Sequence, residues 1–477
     1  MGIPVILAER MTDLPFLFGA AHLLGFASAA HALHRVRTSQ GAIGWIVGLI
    51  AFPAIALPLY WLGGRTRFFN YREDHQDALE GMDFHLPSDR QLVAEIEGNC
   101  PIDAILPSLA PPGYLADNKF RLLRNGSETF QAILKAIAEA KFYILLETYI
   151  LTDDDIGNQF LDALAEASNR GVDVIMLVDG IGSRQLSESY VRRAEEAGIV
   201  FHRFAPHKGL FIRYQLNFRN HRKIVVVDGE TGFTGGLNIG DDYVDGGKNF
   251  DGWRDTHLEL HGSCVLSLQA VFAKDCWQAN RSDLGMLRWP RPTDSGGYDA
   301  CIIPTGPADP QEGGAALMLT LLTTARERLW IATPFFVPEL GIEGALVAAS
   351  LRGVDVRVLV PDHSESRLAD LARESYIDRL SAAGVNFYAY SEGFLHQKVV
   401  LIDDLYATVG SLNFDNRSIY LNFEVSAVIR DKDFNQEVAA MLEEDFADSR
   451  ILENTLATKS ILHRQLVSVA RLFSPVL

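Results

Sequence analysis

Cysteine is scarce in this chain: four in 477 residues, Cys100, Cys264, Cys276 and Cys301, with no CxxC spacing among them. That pattern argues against a disulfide framework and against a zinc cluster. Basic residues are also in deficit, 43 Lys and Arg against 61 Asp and Glu, for a net charge of -18. A surface of that sign repels polyanions, so nucleic acid is a poor main partner, and any anionic substrate must be held by local basic groups. Low-complexity tracts are missing too. With 48% hydrophobic and 22% charged residues the composition is that of a folded protein, long enough for two large domains and something extra.

Long apolar runs are present, and only near the N-terminus. One covers about 14–33, interrupted by His22 and His31, and another covers 41–64 without any charge. Both reach the roughly 20 residues that cross a bilayer core. Small residues at Ala27-Ser28-Ala29-Ala30 leave a secretory signal open for the first, but Glu9 and Asp13 precede it where a signal peptide wants basic residues. Trp45, Tyr60 and Trp61 stand near the ends of the second, as interfacial aromatics do. The expectation is two transmembrane helices. Arg10, Arg65, Arg67 and Arg72 outnumber Arg35 and Arg37 in the intervening turn, which puts the bulk of the chain in the cytoplasm as a multi-pass protein of the inner membrane.

Beyond an acidic, proline-containing linker the chain repeats itself. Phe142-Tyr-Ile-Leu-Leu-Glu-Thr-Tyr-Ile-Leu151 reads as a buried strand, followed by a helical stretch and Arg170-Gly-Val-Asp-Val174. Leu329-Trp-Ile-Ala-Thr-Pro-Phe-Phe336 is followed in the same way by Arg352-Gly-Val-Asp-Val356. Strands alternating with helices at this spacing predict an α/β fold with a mixed, mostly parallel sheet between helix layers, and the repeat predicts two similar domains about a pseudo-twofold axis. The expected boundaries are 1–67 for the membrane region, 68–115 for the linker, 116–290 for the first domain and 291–477 for the second.

Each half carries one short pattern, His221-x-Lys223-x4-Asp228 and His396-x-Lys398-x4-Asp403. Each is followed by a tetrad, Gly235-Gly236-Leu237-Asn238 and Gly410-Ser411-Leu412-Asn413. On a strand, His and Lys two residues apart share a face. A twofold axis then gathers two His, two Lys and two Asn in one site. The spacing resembles the paired HxKxxxxD signatures of the phospholipase D superfamily. The strings Trp253-Arg-Asp-Thr-His257 and Asn413-Phe-Asp-Asn-Arg-Ser-x-x-Leu-Asn-Phe-Glu424, with the ending Arg471-Leu-Phe-Ser-Pro-Val-Leu477, are similar to bacterial cardiolipin synthases within it. Gly236 departs from the Ser of many relatives, which removes a hydroxyl that could bind phosphate.

The resemblance implies phosphoryl transfer without a metal or other cofactor. Lys223, Lys398, Asn238 and Asn413 would neutralise a phosphodiester anion, one imidazole would attack phosphorus, and the other would serve as acid and base. By analogy His221 is the nucleophile and His396 the acid/base; the symmetry of the sequence allows the reverse. Asp255 and Glu424, 34 and 28 residues beyond His221 and His396, are the candidates to hold the second ring nitrogens, the alternative for Asp255 being an ion pair with Arg254. Asp228 and Asp403 belong to the catalytic motif and are expected to anchor its turn. The implied reaction joins two phosphatidylglycerol molecules into cardiolipin and frees glycerol at a membrane; hydrolysis to phosphatidic acid, a phosphodiesterase nuclease and a non-catalytic membrane scaffold are the alternatives. An insertion, 205–220, mixes Lys208, Arg213 and Arg219 with Leu210, Phe211 and Ile212 as a lipid entrance or a solvated loop would. The stretch 459–473 fits a membrane-surface helix or one packed on the second domain.

Overall fold

The computed structural model describes residues 3–36, 38–64, 93–94, 100–204, 218–247, 250–282, 284–290, 296–309, 311–453 and 456–477. The chain divides into two units, 1–72 with 206–218, and 73–205 with 219–477. Most of the linker and of the 205–220 insertion falls outside the described residues.

The smaller unit corrects the expectation of spanning helices. Among the described residues no helix is long and apolar enough to cross a membrane. The apolar run 41–64 does not form one helix. It breaks at Phe52, whose φ of -134° and ψ of 57° are not helical, into Ser39–Ala51, Pro53–Leu59 and a π-turn over Tyr60–Gly64. The longest piece has 13 residues, about 20 Å at ~1.5 Å per residue, against a hydrocarbon core of about 30 Å. Pro53 starts the second piece at a position that needs no N–H partner. The first run lies within a longer helix, Ile3–Arg35, but His22, His31 and His34 dilute its apolar character. The aromatics expected at an interface are packing residues instead. Tyr60 is fully buried, its hydroxyl 2.7 Å from His31 Nδ1, and Trp61 stacks on His31 and donates to Ser28 Oγ at 3.1 Å. The multi-pass inner-membrane expectation is overturned with the spans.

The larger unit is built on strands. Its first half holds β1 (Leu115–Arg124), β2 (Tyr143–Thr148), β3 (Asp173–Asp179), β4 (Val200–Phe204), β5 (Arg219–Asn220), β6 (Ile224–Val227), β7 (Thr231–Gly235), β8 (Trp253–Arg254) and β9 (Thr256–His261). The second half holds β10 (Tyr298–Thr305), β11 (Arg328–Ala332), β12 (Phe336–Val337), β13 (Asp355–Pro361), β14 (Asn386–Tyr390), β15 (Phe394–Leu395), β16 (Val399–Ile402), β17 (Tyr406–Gly410), β18 (Phe414–Asp415), β19 (Asn422–Arg430) and β20 (Ser449–Ile451).

One continuous sheet runs through both halves. Outward from the antiparallel β1·β10 pair the order is β9, β7, β6, β2, β3, β4 on one side and β19, β17, β16, β11, β13, β14, β20 on the other. Apart from the edge strand β20 the two sequences of neighbours correspond strand for strand. The sheet is mixed, with fewer parallel pairs than antiparallel ones: β2, β3 and β4 run parallel, as do β11, β13 and β14, and the remaining ladder pairs along this path are antiparallel.

Helices cover the sheet. Asp154 caps Asp155–Asn169 by accepting the Gly157 N–H, and Phe160, Leu161 and Leu164 of that helix are buried. The two Arg-Gly-Val-Asp-Val strings end equivalent helices: Gly171 and Gly353 adopt φ of 89° and 87°, and Val172 and Val354 donate back to Ala167 and Ala349. Each half packs its own apolar core, Ile144, Met176, Phe160 and Phe233 in one, and Ile331, Val358, Phe387 and Leu346 in the other. The C-terminal helix Ile461–Arg471 buries Val467 and Ala470 and pairs His463 with Glu374 at 2.6 Å, so it packs on the second half, while Ile461, Leu462 and Leu466 stay exposed.

Candidate active site

The motif lead-ins cross between the halves. Strand β5, just before His221, pairs in parallel with the start of β19, Asn220 opposite Phe423, and the His221 N–H donates to Phe423 O at 2.9 Å. Strand β15, just before His396, pairs with β8, Leu395 opposite Arg254, and the His396 N–H donates to Arg254 O at 2.7 Å. The residue that follows Phe423 on β19, and the one that follows Arg254 at the end of β8, is the carboxylate. His221 Nδ1 lies 2.9 Å from Glu424 Oε2, and His396 Nδ1 lies 2.7 Å from Asp255 Oδ2. Asp255 and Glu424 are thus beside the histidines, but each serves the histidine of the other half rather than its own. The alternative partner for Asp255 is engaged elsewhere: the Arg254 guanidinium takes Asp445, with bonds of 2.6 and 2.9 Å.

Both histidines and both lysines are buried. Burial pushes His221 down to about 4 and His396 to about 3, only partly opposed by the carboxylates beside them. Burial also lowers Lys223 to about 7 and Lys398 to about 8. For Asp255 and Glu424 burial acts the other way, yet Lys398 and His396 in one case and His221 and Lys223 in the other hold the carboxyls below their ordinary range. The centre therefore has ionised carboxylates and neutral imidazoles near neutral pH. With each Nδ1–H donated to a carboxylate, Nε2 is left as the nitrogen that acts. Lys223 Nζ donates to His221 O at 2.7 Å and sits 5.4 Å from the centre of the Tyr149 ring; Lys398 Nζ donates to His396 O in the same way.

The two asparagines differ. Asn238 Oδ1 accepts the Ile150 N–H at 3.2 Å and its Nδ2 donates to the Tyr243 hydroxyl at 3.1 Å, leaving one amide hydrogen for a ligand. Asn413 Oδ1 is buried without a partner among the described residues. Asp228 and Asp403 are not with the histidines. Past strands β6 and β16, each with φ above zero, they accept three backbone N–H groups, from Lys141, Phe142 and Tyr143 and from Arg326, Glu327 and Arg328. No group of three or more His, Cys, Asp or Glu able to hold a metal ion occurs among the described residues.

A family model described as cardiolipin synthase, PLD-like domain, matches this chain twice, over residues 133–251 and 318–446. Cardiolipin synthase A of Pseudomonas aeruginosa is 42% identical over 98% of this chain and 96% of its own, and that of Pseudomonas putida is 39% identical over 97% and 98%. This chain belongs to the cardiolipin synthase family of phospholipase D-like proteins. Among solved structures, phosphatidylserine synthase of Haemophilus influenzae matches 79% of this chain and 99% of its own with a TM-score of 0.59 at 16% identity, a likeness of fold alone.

In this member of the cardiolipin synthase family several neighbours of the histidines had no signal in the motif. The Tyr149 ring stands 4.8 Å from that of His221, and the Trp253 ring 5.0 Å from that of His396. Arg222, between His221 and Lys223, points away from them as strand alternation predicts. Its buried guanidinium binds Asp275 with both carboxylate oxygens and donates from Nε to Glu424 O at 2.9 Å. At the same place in the second motif Gln397 donates to Asp445 at 2.7 Å and accepts from Thr256 Oγ1 at 2.8 Å. These partners lock the backbones from which the carboxylates rise.

Proposed function

We propose that this chain is a cardiolipin synthase that transfers the phosphatidyl group of one phosphatidylglycerol to a glycerol hydroxyl of another. The reading is carried by similarity to cardiolipin synthase A along 98% of the chain. The chemistry follows from the centre. An entering phosphodiester adds negative charge beside the buried lysines, and that charge favours the imidazolium form of His396 beside Asp255. His221 Nε2 attacks phosphorus as the bond to the leaving glycerol breaks, and His396 gives that oxygen its proton. Phosphatidyl is then held on His221. A second phosphatidylglycerol gives its hydroxyl proton back to His396, its oxygen forms the new bond to phosphorus, and the phosphorus–nitrogen bond breaks. Lys223, Lys398 and Asn238 are assigned to the non-bridging oxygens throughout. The burial of both histidines and both lysines favours the lipid alcohol over water as acceptor.

Hydrolysis is the rival reading because it shares every step to the phosphohistidine. Product analysis separates them: purified protein given phosphatidylglycerol alone yields cardiolipin and an equal amount of glycerol. Phosphatidic acid with glycerol would make water the acceptor and overturn the synthase reading while keeping the histidine chemistry.

A further inference from the structure

The two halves hold their carboxylates by different means. In the second half the Ser411 N–H donates to Val425 O at 2.9 Å, and the Ser411 hydroxyl oxygen accepts the Val425 N–H at 3.0 Å. The backbone amide next to Glu424 is thereby satisfied without the carboxylate, whose Oε1 accepts from Asn422 Nδ2 at 3.1 Å while Oε2 reaches His221. In the first half the Gly236 N–H donates to Thr256 O at 3.1 Å in the same way, but no hydroxyl is available for the Thr256 N–H. Asp255 Oδ1 takes that amide at 2.8 Å, and Oδ2 turns to His396 at 2.7 Å.

The carboxylate occupies the space a side chain at 236 would need. A Cβ built on Gly236 would overlap Asp255 Oδ1 and stand 2.7 Å from Cγ and 2.8 Å from Oδ2, all too close for real contacts. Gly236 is not among the glycines with left-handed φ, so its backbone conformation does not require glycine. Room for Asp255 does. Asp255 is shorter than Glu424 by one methylene, and with position 236 empty it sits against the strand, bridging its own neighbour's amide and the opposite half's imidazole.

We propose that Gly236 is a positioning residue for His396, acting through Asp255, and that Gly236 with Asp255 and Ser411 with Glu424 are two matched pairs that tolerate exchange only as pairs. The inference rests on the reading of the two histidines as the reacting groups. A hydroxyl at 236 would push Asp255 away, and a displacement of order 1 Å at a reacting group costs roughly 10²-fold in rate. A glutamate at 255 without the serine would leave the Thr256 amide unpaired.

The test is a double-mutant cycle of Gly236→Ser, Asp255→Glu and the two together, with three readouts: melting temperature, kcat and KM on phosphatidylglycerol, and the titration of His396 followed by NMR of labelled histidine. Each single change should lower kcat by about 10²-fold with little change in KM and shift the His396 titration. The double variant should recover most of kcat and return the titration towards its starting position. Losses that simply multiply in the double variant overturn the pairing. A melting temperature that moves while kcat and the His396 titration stay put overturns the positioning role. If Gly236→Ser does not fold, Ser411→Gly with Glu424→Asp, read at His221, opens space instead of filling it and gives the same decision. The titration needs no substrate, so it judges the pairing even if phosphatidylglycerol proves not to be the substrate.

Discussion

His221 Nδ1 and Glu424 Oε2 are 2.9 Å apart although 203 residues of chain separate them. The matching contact, His396 with Asp255 at 2.7 Å, spans 141 residues in the opposite sense. Neither half can complete its own histidine, which ties the proposed chemistry to the association of the two.

A crosswise prediction follows for the carboxylates. Glu424→Gln should act as a lesion of His221 and abolish formation of the phosphohistidine, whereas Asp255→Asn should act as a lesion of His396. Losses of about 10²- to 10⁴-fold in kcat are expected from the wrong tautomer or a misplaced ring. Rapid-quench trapping of labelled lipid on the protein reads the difference. Adduct formation lost in Asp255→Asn but kept in Glu424→Gln would reverse the assignment.

His221→Ala should remove both headgroup release and transfer. His396→Ala should still accumulate an acid-labile lipid–phosphate adduct when the leaving group needs no proton, such as p-nitrophenol. Peptide mapping of the adduct decides the roles; an adduct on His396 in His221→Ala would exchange them.

The buried lysines set the alkaline behaviour. With Lys223 near 7 and Lys398 near 8 in the free protein, kcat/KM should fall on the alkaline side with midpoints in that range, where the phosphate loses its cations. Lys398→Arg, which cannot lose its proton in this range, should move or remove one of these midpoints even if it lowers the maximum rate. An unchanged profile would place the limb on another group.

Acid should destabilise the fold through the same centre. His221 and His396 release their protons at lower pH when folded than the ordinary 6.5, so between about 4 and 6.5 the unfolded chain holds more protons and falling pH favours it. Asp255 and Glu424, also lowered, add to the loss in the same direction as pH falls through the carboxylate range. Chemical denaturation at pH 7 and pH 5 should show lower stability at pH 5, and His396→Gln should flatten the slope.

Asp228 should matter for folding rather than for chemistry. Asp228→Ala leaves three N–H groups without their acceptor at a buried position, for a cost of about 2–4 kcal/mol. Asp403→Ala should cost less, because two of the three amides it serves are solvent-exposed positions. Asp228→Asn should be milder than Asp228→Ala, since asparagine tolerates the positive φ of 58°. Thermal melts with activity normalised to folded protein check this; a stable Asp228→Ala with no activity would return the residue to the catalytic group.

Composition and local pattern determined a good deal. The alternation of His221 and Lys223 with apolar neighbours fixed which side chains share a face, and the duplicated Arg-Gly-Val-Asp-Val strings fixed where equivalent helices end, because both depend on backbone geometry within a few residues. The same reasoning overreached near the N-terminus. An uncharged run says that a segment avoids water, not that it stays one helix; the break at Phe52, and packing among Ser28, His31, Tyr60 and Trp61, turned the expected spans into a helical cluster. Only the tertiary structure decided which carboxylate meets which histidine, because β5 with β19 and β8 with β15 are pairings between halves that no sequence separation encodes. It also decided what Gly236 is for. The sequence marks a missing hydroxyl there, but the volume it leaves has meaning only once the Asp255 carboxylate is seen to fill it.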